Sequence, residues 1–225
     1  MKIEKYTPTK IRNLKMMIYG ESGVGKTVLA STFPQPLFLD IDDGMISIQG
    51  REVFRIRITQ PNEMMDAITW IITNPEKLQS IETIVVDSLN ELQSIWLKNV
   101  LDEYPVKRPY DTLPAQTDYS KMLFDVENIV RALLLLDKHI LFIAQAANRA
   151  FEDESIQPAL IGKTSAKLIV AKLDLIGYMR KLESGRVLFF DYAGAVTKDR
   201  LNVFPKSILD PTWDKLESFI RTRKE

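Results

Sequence analysis

The run Gly20-Glu21-Ser22-Gly23-Val24-Gly25-Lys26-Thr27 has the residue types and spacing of an anion-binding turn. It fits G-x-x-x-x-G-K-[ST], the phosphate-binding P-loop. Its glycines let the backbone fold tightly enough for successive N–H groups to point at phosphate oxygens. The amino end of a following helix adds positive partial charge at the same place. Lys26 would reach the β- and γ-phosphates of a nucleotide, and the Thr27 hydroxyl would ligate Mg²⁺. The expected phosphate-binding set is Gly20, Ser22, Gly23, Val24, Gly25, Lys26, Thr27 and Val28. ATP and Mg²⁺ are the cofactors this chemistry implies.

Such a site needs an acid on the metal side. Asp87 closes the apolar run Thr83-Ile84-Val85-Val86 and is expected to hold Mg²⁺ directly or through water, with Ser88 beside it. Hydrolysis also needs a group that orients the attacking water. No glutamate follows Asp87, since Ser88-Leu89 stands there. The candidates lie elsewhere: Asp42, within the cluster Asp40, Asp42 and Asp43, and Glu63, at the start of a helix. Gln145, after the apolar run Ile140-Leu141-Phe142-Ile143-Ala144, is placed to sense a γ-phosphate. A guanine-specific site is disfavoured. Ala171-Lys172-Leu173-Asp174 has Ala where N-K-x-D needs Asn, and Asp87-Ser88-Leu89-Asn90 lacks the glycine of a D-x-x-G switch. A second Gly162-Lys163-Thr164 has Gln157 where a P-loop needs its first glycine, so it reads as a helix entrance.

Elements of alternating type must position these groups. The apolar run Leu14 to Tyr19 leads into the P-loop as a strand, and Val28 to Thr32 follows as a helix start. Further strands are expected at 37–40, 53–58, 83–87 and 139–144, with helices opening at Gln60-Pro61-Asn62 and spanning 89–102, 118–137 and 163–175. A hairpin is expected over 177–182 and 187–191, around Ser184-Gly185. Asp210-Pro211 opens a last helix over 211–223. Strand–helix alternation implies an α/β fold with a mainly parallel central sheet flanked by helices and a carboxy-terminal hairpin extension. Residues 104–117, with Pro105, Pro109 and Pro114, and residues 148–162 read as long loops, of the kind that is usually functional.

The chain has 225 residues and zero formal net charge, so one domain with one core is expected, with an amino-terminal arm over 1–13. Its overall charge offers no general attraction to nucleic acid or to an anionic membrane. There is no cysteine and a single histidine, His139, which excludes disulfides, thiolate metal sites and histidine-rich metal sites. The opening residues Met1 to Pro8 lack a signal-peptide core, and no apolar run approaches a membrane span. A cytoplasmic protein without membrane contact is expected.

Together these residues resemble the RecA-type ATPase core. More narrowly, the chain resembles compact phage-encoded RecA-core ATPases of the Sak single-strand annealing type. The resemblance rests on Gly20 to Thr27, Phe38-Leu39-Asp40-Ile41-Asp42-Asp43-Gly44, Ile84-Val85-Val86-Asp87-Ser88, Pro158-Ala159-Leu160-Ile161-Gly162-Lys163 and Thr197-Lys198-Asp199-Arg200, in matching order. It implies a RecA-like domain over 1–225, located in the host cytoplasm if phage-encoded. It implies a homo-oligomeric ring or filament with ATP at subunit boundaries, where Lys198 or Arg200 would reach a neighbour's nucleotide. It also implies that 104–117 and 148–162 are mobile loops that hold single-stranded DNA. The first loop carries Tyr104, Lys107, Arg108 and Tyr110, a mix suited to single strands; the second carries Arg149 and Phe151 beside Glu152, Asp153 and Glu154. Gln60-Pro61-Asn62-Glu63 resembles the RecA stretch that holds its catalytic glutamate, which ranks Glu63 slightly above Asp42. Other expectations from different classes are a nucleotide-gated protein-binding adaptor with little turnover, and a duplex-DNA motor subunit.

Overall fold

The computed structural model describes residues 13–103, 113–148 and 155–222. Six strands build its parallel sheet: β1 (Lys15–Gly20), β2 (Pro36–Asp40), β3 (Phe54–Arg57), β4 (Thr83–Asp87), β5 (His139–Asn148) and β7 (Leu175–Leu182). They lie in the order β3-β2-β4-β5-β1-β7, so β5 separates the strand entering the P-loop from the strand ending at Asp87. Beyond β7 the sheet continues antiparallel through β8 (Gly185–Phe189) and β10 (Ser207–Leu209). Two short strands pair off this path, β6 (Ile156–Pro158) with β5 and β9 (Lys198–Asp199) with β7. This is the α/β fold of a P-loop NTPase, with the expected hairpin at the carboxy-terminal side.

The apolar runs explain why the central strands are buried on both faces. Successive side chains alternate across a sheet. Met17, Tyr19, Ile84, Val86, Ile140 and Phe142 therefore face one layer, where α2 (Pro61–Thr73), α3 (Leu89–Glu103) and α4 (Gln116–Leu134) pack. Met16, Ile18, Val85, Leu141 and Ile143 face the other. That second layer is closed by α1 (Lys26–Ala30) and α6 (Trp213–Thr222). Trp213 stacks near Phe33 and edge-on to His139, with ring centroids 4.7 and 4.8 Å away, and its backbone N–H donates to Thr32 Oγ1 at 2.8 Å. The exposed edge strand β3 carries Arg55 and Arg57, charges that discourage further strand pairing.

Several boundaries differ from the sequence expectation. β5 runs on to Asn148 rather than stopping at Ala144, because Ala146 to Asn148 pair antiparallel with β6. The stretch 148–162 thus contains a strand as well as irregular chain. α4 starts two residues before Asp118, whose carboxylate accepts the Ala115 N–H at 2.8 Å and caps the helix, and it ends at Leu134. α5 (Lys163–Lys172) ends before Leu173, which is extended and leads directly into β7. Residues 1–12 of the arm, 104–112 of the first loop and 149–154 of the second lie outside the described residues.

Candidate nucleotide site

The register of the sheet brings the chemistry to one edge. Gly20 at the end of β1 pairs with Gln145 of β5 and Met179 of β7, while Asp40 of β2 pairs with Asp87 of β4. All these positions lie at the carboxyl ends of parallel strands, where ligands bind in open α/β sheets. Gly23 and Gly25 have φ of +76° and +102°, conformations that side-chain-bearing residues rarely adopt. They turn the chain from β1 into α1. That helix is only 5 residues long, so the positive end here is the set of unpaired N–H groups in its first turn and needs no long macrodipole.

A cavity of about 460 Å³ opens at this turn. It is lined by Ser22, Gly23, Gly25, Lys26, Thr27 and Val28 of the turn and helix, together with Asp42, Asp87 and Gln145 from the strand ends and Gly44, Ser47 and Arg186. Val24, also in the expected set, instead buries its side chain in the second core layer. Lys26 is 6% exposed. Its ammonium donates to the carbonyls of Gly20 (2.9 Å) and Glu21 (2.7 Å) and reaches Gln145 Oε1 at 3.4 Å. Burial pulls its pKa down, and the nearby carboxylates of Asp87, Asp42 and Glu21 oppose that.

Thr27 Oγ1 donates to Asp87 Oδ2 at 2.8 Å. Burial pushes the Asp87 carboxyl up to about 6; Asp42 and Asp40 add in the same direction, while the Thr27 hydrogen bond and Lys26 oppose. A cation beside Asp87 would relieve that strain. Among the described residues no group of three or more His, Cys, Asp or Glu is placed to hold a metal. A metal here would have one or two protein oxygens and would fill its shell with water and phosphate oxygens. That donor set fits Mg²⁺, which keeps most of its waters and binds through few carboxylates plus substrate phosphates.

The ends of β2 and β4 are tied together. The Asp87 carbonyl accepts the N–H groups of Ile41 (2.7 Å) and Asp42 (3.2 Å), and Ser88 Oγ donates to Asp42 Oδ1 at 2.9 Å. The Asp87–Ser88 peptide is cis. Asp40 and Asp43 are neutralised by Arg55, and Asp43 also by Arg57. Of the three acids in the cluster, Asp42 is therefore the one that faces the cavity. Glu63 is not among the residues lining it. Its Oε2 accepts the N–H and hydroxyl of Thr59 at 2.6 and 2.9 Å and the Gln60 N–H at 3.2 Å, closing the first turn of α2. These hydrogen bonds, led by that of the Thr59 backbone, hold its pKa below the usual range.

Lys198 and Arg200 lie at the other end of the sheet. Lys198 pairs with Ile176, whose neighbour on β1 is Met17, well before the P-loop. Lys198 Nζ donates to the carbonyls of Val170 and Ala171 at 3.1 and 3.0 Å; Arg200 donates to Ala171 O at 2.8 Å and pairs with Asp174 at 3.4 Å. Both cations cap the carboxyl end of α5 and sit far from their own chain's cavity.

Three residues complete the site without having been expected from the sequence. Asn90 accepts the Gln145 N–H at 2.7 Å and donates to the Ala159 carbonyl, while Ala159 N–H donates to Gln145 O at 2.8 Å. Gln93, fully buried, donates to Ile161 O (3.2 Å) and accepts from Ile161 N–H (2.8 Å). Asn90 and Gln93 are three apart on α3 and together fasten residues 159–161 to Gln145. The sequence signal for Gln93 is its place on the buried stripe Leu89-Leu92-Trp96-Val100 of α3. Arg186 had no such signal, because the β7–β8 hairpin brings it back across the P-loop.

The fold and the cavity define a P-loop nucleotide-binding domain. A family model described as an AAA domain matches residues 12–201, and the chain belongs to that family of AAA-type ATPase domains. No curated protein gives a match. No described helix is long and apolar enough to cross a membrane.

Proposed function

We propose that this protein binds ATP with Mg²⁺ in the cavity at Gly20 to Val28, hydrolyses it between assembled copies, and acts on single-stranded DNA in phage recombination or annealing. One observation carries the nucleotide chemistry: Lys26, the Thr27–Asp87 pair, Asp42 and Gln145 share one cavity. Bound magnesium would supply Lewis-acid neutralisation of developing phosphoryl charge. Thr27 and Asp87 would hold it. The P-loop amides and Lys26 would orient the phosphates. Asp42 is favoured over Glu63 as the group that orients water, because Glu63 is engaged in closing α2. Gln145 would report the state of the γ-phosphate through Asn90 and Ala159 to the segment before α5.

Support for the DNA role comes from the likeness to Sak-type annealing ATPases and from the residues of the two long loops. β5 leads into the second of these loops directly beyond Gln145, and β6 lies within it. Lys198 and Arg200 face away from their own cavity, which suits cations supplied to a neighbouring copy in a homo-oligomer. A cytoplasmic location follows from this reading. The adaptor alternative draws on an apolar groove lined by Met65, Ile68, Trp96, Ile129 and Ala132 on the helical layer. Steady-state ATP hydrolysis measured with and without an unstructured oligonucleotide separates the two. Stimulation that fades steeply with salt supports the DNA role. Turnover that ignores DNA, with no DNA binding at low salt, refutes it.

A further inference from the structure

Arg186 is the second residue of strand β8, outside the P-loop and far from it in sequence, yet it lines the phosphate cavity. Its guanidinium occupies the space that a side chain at position 25 would take. A Cβ on Gly25 would stand 2.6 Å from Arg186 Nε and 3.0 Å from Cζ. Gly25 therefore has a second reason to be glycine besides its φ. Among the described residues no carboxylate pairs with this guanidinium.

The backbone of Arg186 is clamped. Its N–H donates to Asp210 Oδ1 at 3.0 Å, and its carbonyl accepts the Asp210 N–H at 2.6 Å. The preceding Gly185 has φ of +129°, and a Cβ there would lie 2.8 Å from Asp210 Oδ1. Gly185 and Asp210 thus form a mount, at the start of the hairpin's return strand, that aims one arginine over the P-loop of the same chain. An arginine fork presents five N–H donors in a plane, a geometry that matches phosphate oxygens two at a time. A magnesium-bound triphosphate remains net negative, and on this side of the cavity Arg186 and Lys26 are its cationic neighbours.

We infer that Arg186 is a phosphate-binding residue acting in cis, a second cation that grips the polyphosphate of a nucleotide from the hairpin side. This deepens the nucleotide reading above and rests on it. Affinity for ATP should then depend on Arg186 more than affinity for AMP does, because the shorter ligand offers fewer phosphate oxygens.

The test is equilibrium binding of ATP and AMP, each with Mg²⁺, to the full chain and to the Arg186→Ala, Arg186→Gln, Arg186→Lys and Lys26→Ala variants, with thermal melts as a folding control. Arg186→Ala should weaken ATP about tenfold or more, the loss expected of a charge-assisted hydrogen bond. AMP should change by less than about threefold, about half of that logarithmic effect at most. Arg186→Lys should recover part of the loss. Arg186→Gln keeps most of the packing volume and should behave like Arg186→Ala, so it decides the matter if the alanine variant folds poorly. An unchanged ratio of ATP to AMP affinity in Arg186→Gln, with ATP binding lost in Lys26→Ala, overturns the role of Arg186 and leaves the P-loop site standing. Failure of the unaltered protein to bind ATP at all overturns both.

Discussion

Replacing Asp87 with asparagine should stabilise the nucleotide-free protein while abolishing its use of magnesium. The carboxyl is 3% exposed and its pKa rises from 3.8 to about 6. At about 1.4 kcal/mol per pH unit, that difference corresponds to about 3 kcal/mol. The sign follows from proton linkage. The folded state binds the proton more tightly than the unfolded state, so the cost is absent below pH 4, grows as pH rises from 4 to 6, and is complete above 6. Asparagine has no such cost and still accepts the Thr27 hydroxyl. Half-buried His139 pulls the other way. Its pKa falls from 6.5 to about 4, mainly through burial and next through Lys15, with Glu217 opposing, and its Nδ1 accepts the Leu14 N–H at 3.0 Å. Its contribution to stability is present above pH 6.5 and is lost as pH falls through 4. The two slopes oppose each other in the natural protein, but the histidine term is common to both proteins and cancels in their difference. Denaturant or thermal melts in EDTA between pH 4 and 8 should therefore show Asp87→Asn gaining with pH, to a plateau of about 2–3 kcal/mol. For a chain of this size that is roughly 5–10 °C in the melting midpoint. ATP with Mg²⁺ should raise the midpoint of the natural protein and leave that of the variant unchanged. A variant no more stable at pH 8, or a gap independent of pH, would refute the claim that Asp87 is a strained, metal-seeking acid.

Four further outcomes follow. Asp42→Asn should lower the rate of ATP hydrolysis about a hundredfold while sparing nucleotide affinity, and Glu63→Gln should change the rate by less than about threefold, as comparison of kcat with Kd will reveal. The reverse ranking would return the water-orienting role to Glu63. Gln93→Ala leaves the Ile161 N–H and carbonyl without partners and should cost about 1–3 kcal/mol in chemical denaturation; an unchanged midpoint would show that water replaces it freely. Arg200→Ala should spare nucleotide binding yet remove the assembly-dependent part of turnover, and hydrolysis that stays concentration-dependent in that variant would discard its role in trans. His139→Gln should flatten the loss of stability between pH 6.5 and 4, read from the same melts as Asp87→Asn.

What the sequence made legible was local. The P-loop, its entering strand and Asp87 at the end of an apolar strand are each written in a few consecutive residues, and the fold places them as expected. The parallel sheet was legible because β2 and β4 are short apolar runs buried on both faces. The end of β5 was not, since Gln145 to Asn148 are polar or small, and Ala146 to Asn148 extend the strand through their partners on β6. The choice between Asp42 and Glu63 could not be read from spacing. It turns on which carboxylate lines the cavity: Asp42 does, with one donor from Ser88, whereas Glu63 does not and takes three donors from Thr59 and Gln60. Asn90 and Arg186 were silent for the same reason. Their neighbours, Gln145 and Ala159 for one and Gly25 and Asp210 for the other, are remote in sequence and meet only when the sheet is assembled.

A crystal structure with a non-hydrolysable ATP analogue and Mg²⁺ tests the central claim most directly. The triphosphate should lie in the cavity along Gly20 to Val28 with Lys26 on its terminal phosphates, and Mg²⁺ should sit between Thr27 and Asp87. A nucleotide bound elsewhere, or a cavity that stays empty at saturating analogue, would contradict the account.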